Sequence, residues 1–338
     1  MQDKKHIAII AGGDSSEHEV SLRSAAGLKT FIDAEKYDTT IVVFSGKDWH
    51  TEDGCAIDKN DFSFTRGGVK HSFDFAYITI HGTPGENGLL QGYLDMLRIP
   101  YSCCGVLAAA LTFNKYACNH YLSGFGFKIA PSILLRKAEW LKANGKKLKA
   151  EIANELGFPC FIKSNVGGSS FGCTKVKTPD QILPAIEAAF KEGDEVICEG
   201  YMRGTEITCG VYKTKDKAVA FPVTEVVTKN EFFDYDAKYK GQVDEITPAR
   251  IPDEVRDKVQ EMTLRIYDII GANGIIRVDW ILIGLRDQKV EGEIVPMLLE
   301  VNTTPGMTPT SFIPQQVRAA GLDIKDVMED IIENAFSN

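Results

Sequence analysis

Residues 298–314 read LLEVNTTPGMTPTSFIP, and the way this stretch is read decides the fold. Leu298, Leu299 and Val301 are strand-like, and Pro305-Gly306 turns the chain out of the strand. Glu300 and Asn302 are two apart, so on a strand they project from one face. Two oxygen donors on one face suit a hard cation such as Mg²⁺. The loop beyond them carries the hydroxyls of Thr303, Thr304, Thr308, Thr310 and Ser311, all able to grip phosphate or carboxylate oxygens. An ordinary strand and polar turn would explain Glu300 alone. It does not explain a carboxylate leaving an apolar strand just ahead of a rigid, donor-rich loop.

The same arrangement, a strand followed by a polar or glycine-rich loop, recurs upstream. GGDSSEHEVS at Gly12–Ser21 follows an apolar strand at His6–Ile10. The Ser16/Glu19 spacing predicts a capping box opening a helix over Glu19–Ile32. Glu17 is not needed for that cap and sits at the strand mouth, where ligands bind in open α/β sheets; a first-turn acid favoured by the helix dipole explains it about as well. HGTPGENGLLQG at His81–Gly92 packs glycines densely after a strand at Phe75–Ile80, exposing backbone amides to an anion, and His81 could donate to a carboxylate or phosphate. KSNVGGSSFG at Lys163–Gly172 puts a lysine at the base of a donor-rich loop with Ser169 and Ser170, the logic of a phosphate loop without its G-x-x-x-x-G-K-[ST] spelling.

Three further segments complete the candidate site. In EGYMRGTE at Glu199–Glu206, the carboxylates could accept from ribose hydroxyls or an exocyclic amine beside the apolar Tyr201 and Met202; alone, it reads as an ordinary β-turn. In FFDYDAKY at Phe232–Tyr239, Lys238 and Tyr239 fall within a polar, aromatic stretch at Lys229–Thr247 that has no clear period and reads as a lid. Arg277 and Asp279 share one strand face, with Ile276 and Val278 on the other.

Alternating strand-like and helix-like runs in the first hundred residues predict a parallel sheet with crossover helices. Further helices are expected at Leu89–Leu97, Leu107–Leu122, Leu148–Leu156 and Gln181–Phe190, and over the apolar stripe from Val255 to Ile270. Ile275–Ile283 and Val295–Val301 are strands that could pair. The fold class is α/β, passing to α+β in the C-terminal half. The expected domains are 1–103, 104–199 and 200–338, the last with a mobile loop at about 229–247.

The 338 residues are 44% hydrophobic and 25% charged, an ordinary globular balance. A net charge of −9 argues against a broad nucleic-acid surface. No stretch is long and apolar enough for a bilayer. The eight cysteines form no C-x-x-C pair, which disfavours structural zinc and fits buried thiols in a reducing cytoplasm.

With Lys115, Lys163, the Gly/Ser loop, Asp279, Glu300 and Asn302 together, the chain closely resembles the D-alanine–D-alanine ligases of the ATP-grasp superfamily. The resemblance runs from Ile7 to about Pro314. It rests on E-x-N-T-x-P-G-M-T-x-x-S-x-x-P at its end and on HG-x-x-GE-x-G-x-LQG at His81–Gly92. It implies an N-terminal Rossmann-like domain and two domains that clamp ATP. It further implies that Lys115 and Lys163 contact ATP phosphates with Ser169 and Ser170, Lys238 reaching the same site. Glu199 and Glu206 would bind the adenosine, with Tyr201 and Met202 flanking adenine. Asp279, Glu300 and Asn302 would hold two Mg²⁺ ions, Mn²⁺ being an alternative. Glu17 would take the ammonium of the first D-alanine, linked to Ser169 and Tyr239, with His81 in the same substrate site. Arg277 and the Gly306 amide would stabilise the oxyanion, and Ser311 and Lys238 would hold the second carboxylate.

Two departures stand out: Lys163-Ser164 where the family has Lys-Pro, and FFDY where its lid often has FYDY. The implied setting is bacterial peptidoglycan precursor synthesis in the cytoplasm, by a homodimer. A sibling that joins D-lactate or D-serine is the main rival; Tyr239 argues against lactate, whose ligases carry histidine there. A silent nucleotide-binding regulator would have lost a metal ligand or Arg277. A Rossmann dehydrogenase would need a glycine fingerprint that Gly12-Gly13-Asp14 does not supply.

Overall fold

Strand Lys5–Gly12 is buried from Ile7 onward and pairs in parallel with both Tyr37–Ser45 and Phe75–Ile78. Helix His18–Phe31 makes the crossover between the first two, as βαβ geometry requires. The short strand Asp48–Thr51 adds an antiparallel edge. This computed structural model describes residues 4–140, 145–168, 172–228 and 243–337. Ser169, Ser170, Lys238 and Tyr239, together with most of the expected lid, lie outside the described residues.

Two further sheets follow, and both are antiparallel. One orders Thr174–Val176, Cys160–Ser164, Glu195–Gly200 and Ser132–Arg136 side by side. The other is built on a long hairpin, Ile275–Arg286 against Lys289–Asn302, flanked by Gly204–Lys213, Thr224–Thr228 and Val243–Ile246. A small sheet at Ile57–Asp58, Ser63–Arg66 and Val69–His71 covers one face of the first sheet, where Phe62, Phe64 and Phe73 pack with Ile10, Val42 and Ile78.

The apolar stripe of helix Asp253–Ile269 buries Val255, Val259 and Ile266 against the large sheet. Trp280 on that sheet is fully buried and donates its indole N–H to Thr263 Oγ1 at 3.2 Å. The opposite face of the first sheet packs on helices Phe312–Ala319 and Ile324–Phe336 through Ile313, Val317, Met328 and Ile332. Tyr212, Phe221 and Ile275 of the large sheet join that same cluster, which ties the two ends of the chain together.

Three expectations need correction. Leu107–Leu122 is two helices, Val106–Phe113 and Lys115–Ser123. Asn114 between them is extended, and its side chain accepts from the Ala117 amide at 2.9 Å, an N-cap that restarts the helix. The capping box is absent: Glu17 is the N-cap residue without a side-chain cap, and Ser16 donates to Glu192 across 3.4 Å. The expected loop 229–247 ends in a strand, because Val243–Ile246 pairs with Thr224–Thr228. Among the described residues, no helix is long and apolar enough to cross a membrane. All eight cysteines are free thiols, six of them buried.

Candidate active site

The hairpin register brings the polar residues of two strands onto one face. Arg277 lies opposite Asn302, and Asp279 opposite Glu300. On the other flank Thr208 lies opposite Asp279. Four side chains that the sequence offered as two separate pairs are therefore cross-strand neighbours. Their alternates Ile276, Val278 and Val301 point into the core, which fixes the register, since a one-residue slip would exchange the faces.

The Arg277 guanidinium donates twice to Asp279, at 2.9 and 2.8 Å, and Thr208 donates to the same carboxylate at 2.5 Å. Both partners of the pair are nearly buried, with side-chain exposures of 12% and 11%. Burial works against the Arg277 charge, but Asp279, Glu300 and Glu245 outweigh it and hold the guanidinium above its ordinary value. Opposite Arg277 stands Gly210, where a Cβ would fall 2.4 Å from Ile313, so helix Phe312–Ala319 can lie directly on the sheet.

Two cavities share this floor. One, of about 550 Å³, is lined by Lys163, Glu199, Tyr201, Met202, Glu206 and Asp279. The other, of about 510 Å³, is lined by Glu17, His81, Asn302, Gly306 and Ser311. Lys115, Gly167, Gly168, Arg277 and Glu300 border both. The Asn114 cap is what places Lys115 here: it starts the second helix, bonds the Gly167 carbonyl and stands 3.8 Å from Glu300.

In the first cavity Lys163 pairs with Glu199 at 2.5 Å. Lys163 faces Ile197 in the register, so Glu199 is its diagonal neighbour on the same face. Burial opposes the lysine charge, yet Glu199 and Glu300 hold it above its usual value. The Tyr201 ring is 39% exposed at the cavity edge, with the Lys175 ammonium 4.5 Å from its centre.

In the second cavity Glu17 is 6% exposed and presses on Gly168, where a Cβ would sit 2.7 Å from its carboxylate. Burial holds the His81 imidazole below its ordinary value, against the pull of Glu17. The Asn302 side-chain oxygen accepts from the Thr304 amide at 3.1 Å, bending the chain after the strand. Ser311 Oγ accepts from the Thr308 amide at 3.1 Å and lies 2.7 Å from the Thr308 hydroxyl. The structure thus gathers every described site candidate around two connected cavities.

It also adds residues the sequence reading missed. Thr208 and Glu245 carried no local signal, because only cross-strand pairing brings them to the site. Glu86 stood inside the glycine-dense motif and could have been noticed; its carboxylate accepts from the Gly82 amide at 2.7 Å.

Two antiparallel sheets closing on a polar cleft, with Lys163 and Glu199 from one, Asp279 and Glu300 from the other and Lys115 from a helix start, define an ATP-grasp fold. The solved D-alanyl-alanine synthetase A of Vibrio cholerae superposes with a TM-score of 0.86 at 28% identity, over 100% of both chains. A D-alanine–D-alanine ligase of Bacillus anthracis complexed with ATP gives 0.73 at 26% identity, over 98% of this chain and 97% of that one. The D-ala D-ala ligase N-terminus family matches residues 6–104, and the D-ala D-ala ligase C-terminus family residues 121–333. A D-alanine–D-alanine ligase of Bacteroides fragilis is 62% identical over 337 residues, 98% of this chain and 100% of that protein. The chain belongs to the D-alanine–D-alanine ligase family.

Proposed function

We propose that this chain joins two D-alanine molecules into D-alanyl-D-alanine, consuming ATP and releasing ADP and phosphate by way of an acyl phosphate. The observation that carries the reading is the shared floor. Arg277, Asp279, Glu300 and Asn302 lie where a nucleotide-sized cavity meets one with the fittings of an amino-acid site.

In this reading the larger cavity takes ATP. Tyr201 and Met202 flank the base, Glu199 and Glu206 meet the adenosine, and Lys115 and Lys163 neutralise phosphate oxygens, with Ser169, Ser170 and Lys238 closing on them. Among the described residues no three His, Cys, Asp or Glu side chains converge as a metal cluster. Two carboxylates, the Asn302 amide and substrate oxygens nevertheless make a hard-oxygen set that fits Mg²⁺, which usually takes only one or two carboxylates. Bound there, Mg²⁺ or Mn²⁺ would neutralise charge on the transferring phosphate.

Glu17 receives the ammonium of the first D-alanine, with Ser169, Tyr239 and His81 beside it, leaving the carboxylate facing the γ-phosphate. The amine of the second D-alanine then attacks the acyl phosphate. Arg277 and the Gly306 amide stabilise the oxyanion, a contribution of about 10²–10³ in rate per donor. Ser311 and Lys238 hold the second carboxylate. Water must be kept from the acyl phosphate, which is the task of a closing lid. We place the activity in the cytoplasm, in peptidoglycan precursor synthesis, by a homodimer built of units 1–103, 104–199 and 200–338.

The test is ADP release by the purified protein with Mg²⁺-ATP, comparing D-alanine with L-alanine and identifying the product by mass. D-alanine-dependent release yielding the dipeptide is expected. ATP binding without such release would replace this reading with a sibling ligase or a silent nucleotide binder.

A further inference from the structure

Glu245 is an acid in the amino-acid cavity to which the ligase reading gives no task. It sits on the edge strand Val243–Ile246, partly buried, and lines the cavity together with Arg277, Thr310 and Ser311. Its carboxylate accepts from Gln315 Nε2. The same Nε2 donates to the Thr310 carbonyl at 2.7 Å. One amide group thus ties the Glu245 carboxylate to the loop that ends at Ser311. Gln315 stands on the helix that Ser311 caps.

An amino acid in this cavity presents two charged groups on one carbon. The hydroxyls of Thr308, Thr310 and Ser311 suit its carboxylate. An anion fixed beside them suits its ammonium. Glu17 is packed against Gly168 and, in the ligase reading, is taken by the first substrate's ammonium, so the second needs an anion of its own. We propose that Glu245 receives the ammonium of the second amino acid and takes one proton from it, so that the freed amine forms the C–N bond as the acyl C–O bond breaks and phosphate leaves with the second proton, and that it thereby selects an amine over a hydroxy acid. The assignment rests on the ligase reading and deepens it. Burial raises the Glu245 carboxyl above its ordinary value, while Gln315 and Arg277 pull it back. Arg277 alone does not need this partner, since Asp279 already takes two of its donors.

The test compares wild type with Glu245→Gln in the full chain, using Mg²⁺-ATP and D-alanine, with the two D-alanine KM values resolved. A second arm offers equal D-alanine and D-lactate and measures dipeptide against depsipeptide by mass. The variant should raise the second-site KM at least about tenfold and leave the first-site KM unchanged, and it should lower the dipeptide-to-depsipeptide ratio by a similar factor. Glu245→Asp, which keeps the charge, should recover part of both and carries the test if the glutamine variant folds poorly. An unchanged second-site KM and product ratio overturns the assignment, as does an equal rise in both KM values, the mark of a merely structural residue. A wild-type protein that releases no ADP with D-alanine overturns the ligase reading, and this assignment with it.

Discussion

Lys163 and Glu199 meet from adjacent paired strands, whereas Glu17 and Gly168 meet from two loops. The contrast runs through the whole site. On the side we assign to the nucleotide, Lys163 and Glu199 ride on ladders whose register is locked by buried alternates such as Ile162 and Cys198. On the amino-acid side Glu17 rides on the segment before helix His18–Phe31, against the loop around Gly168, and the hydroxyls ride on the turn from Thr303 to Ser311; beyond the shared floor, only Glu245 among the described charged groups there is strand-borne. Strand-borne groups are placed by the core. Loop-borne groups are placed by close packing between loops, so they should be the more easily displaced by a small steric change and the less sensitive to loss of the core.

The sharpest break of that comparison comes at the shared floor. Glu300→Gln keeps the shape and removes one anionic oxygen, leaving the Lys115 ammonium 3.8 Å away with less to balance it. If Glu300 holds a metal ion as proposed, turnover should fall by about 10³ or more, since a metal-held phosphate contributes several kcal/mol to the transition state. The Glu300 side chain is 28% exposed, so the melting temperature should stay close to wild type. Steady-state ADP release together with thermal melting checks both. Near-native turnover would overturn the proposal that Glu300 holds a metal ion.

Gly168→Ala tests the loop side. Its methyl group would need space that Glu17 occupies, 2.7 and 3.1 Å from the two carboxylate oxygens. Glu17 would have to move by a fraction of an ångström to about one. The expected cost is about 10- to 10²-fold in kcat/KM for the first D-alanine, with ATP binding little changed. Equal losses at both substrates would mean that the loop serves the nucleotide instead.

The same contrast explains what was legible in the sequence. Residues two apart on a strand share a face whatever the rest of the fold does, so Arg277 with Asp279 and Glu300 with Asn302 could be paired from spacing alone. That the two pairs oppose each other depends on the hairpin register, with a bulge between Asp279 and Trp280, and no local pattern encodes it. The Lys163–Glu199 contact was hidden for the same reason. Helix periodicity joins Leu107 to Leu122 because one polar residue, Asn114, does not disturb an apolar stripe; its side-chain cap does. Thr224–Thr228 and Val243–Ile246 pair across a long insertion, so from local pattern alone Val243–Ile246 merges into a polar loop. Loop motifs show through glycine density, which marks where a backbone must come close but not which acid it comes close to.

Glu86 gives the smallest and most specific test, because it belongs to a loop, is half-buried in the cavity wall and is held there by the Gly82 amide. Burial first, and then the nearby charges of Glu17 and Glu300, push its carboxyl up to about 8. The acid is therefore protonated in the folded protein at neutral pH and ionised in the unfolded chain. Between about 4.5 and about 8 the folded state binds the extra proton, so this group makes stability fall as pH rises through that window. Glu86→Gln removes the titration and keeps an acceptor for the Gly82 amide. The variant should match wild type near pH 4.5 and melt higher than wild type at pH 8, with the gap opening steadily between. A parallel offset at all pH values would mean that Glu86 is ionised throughout, held by the Gly82 amide and Lys115 against its burial.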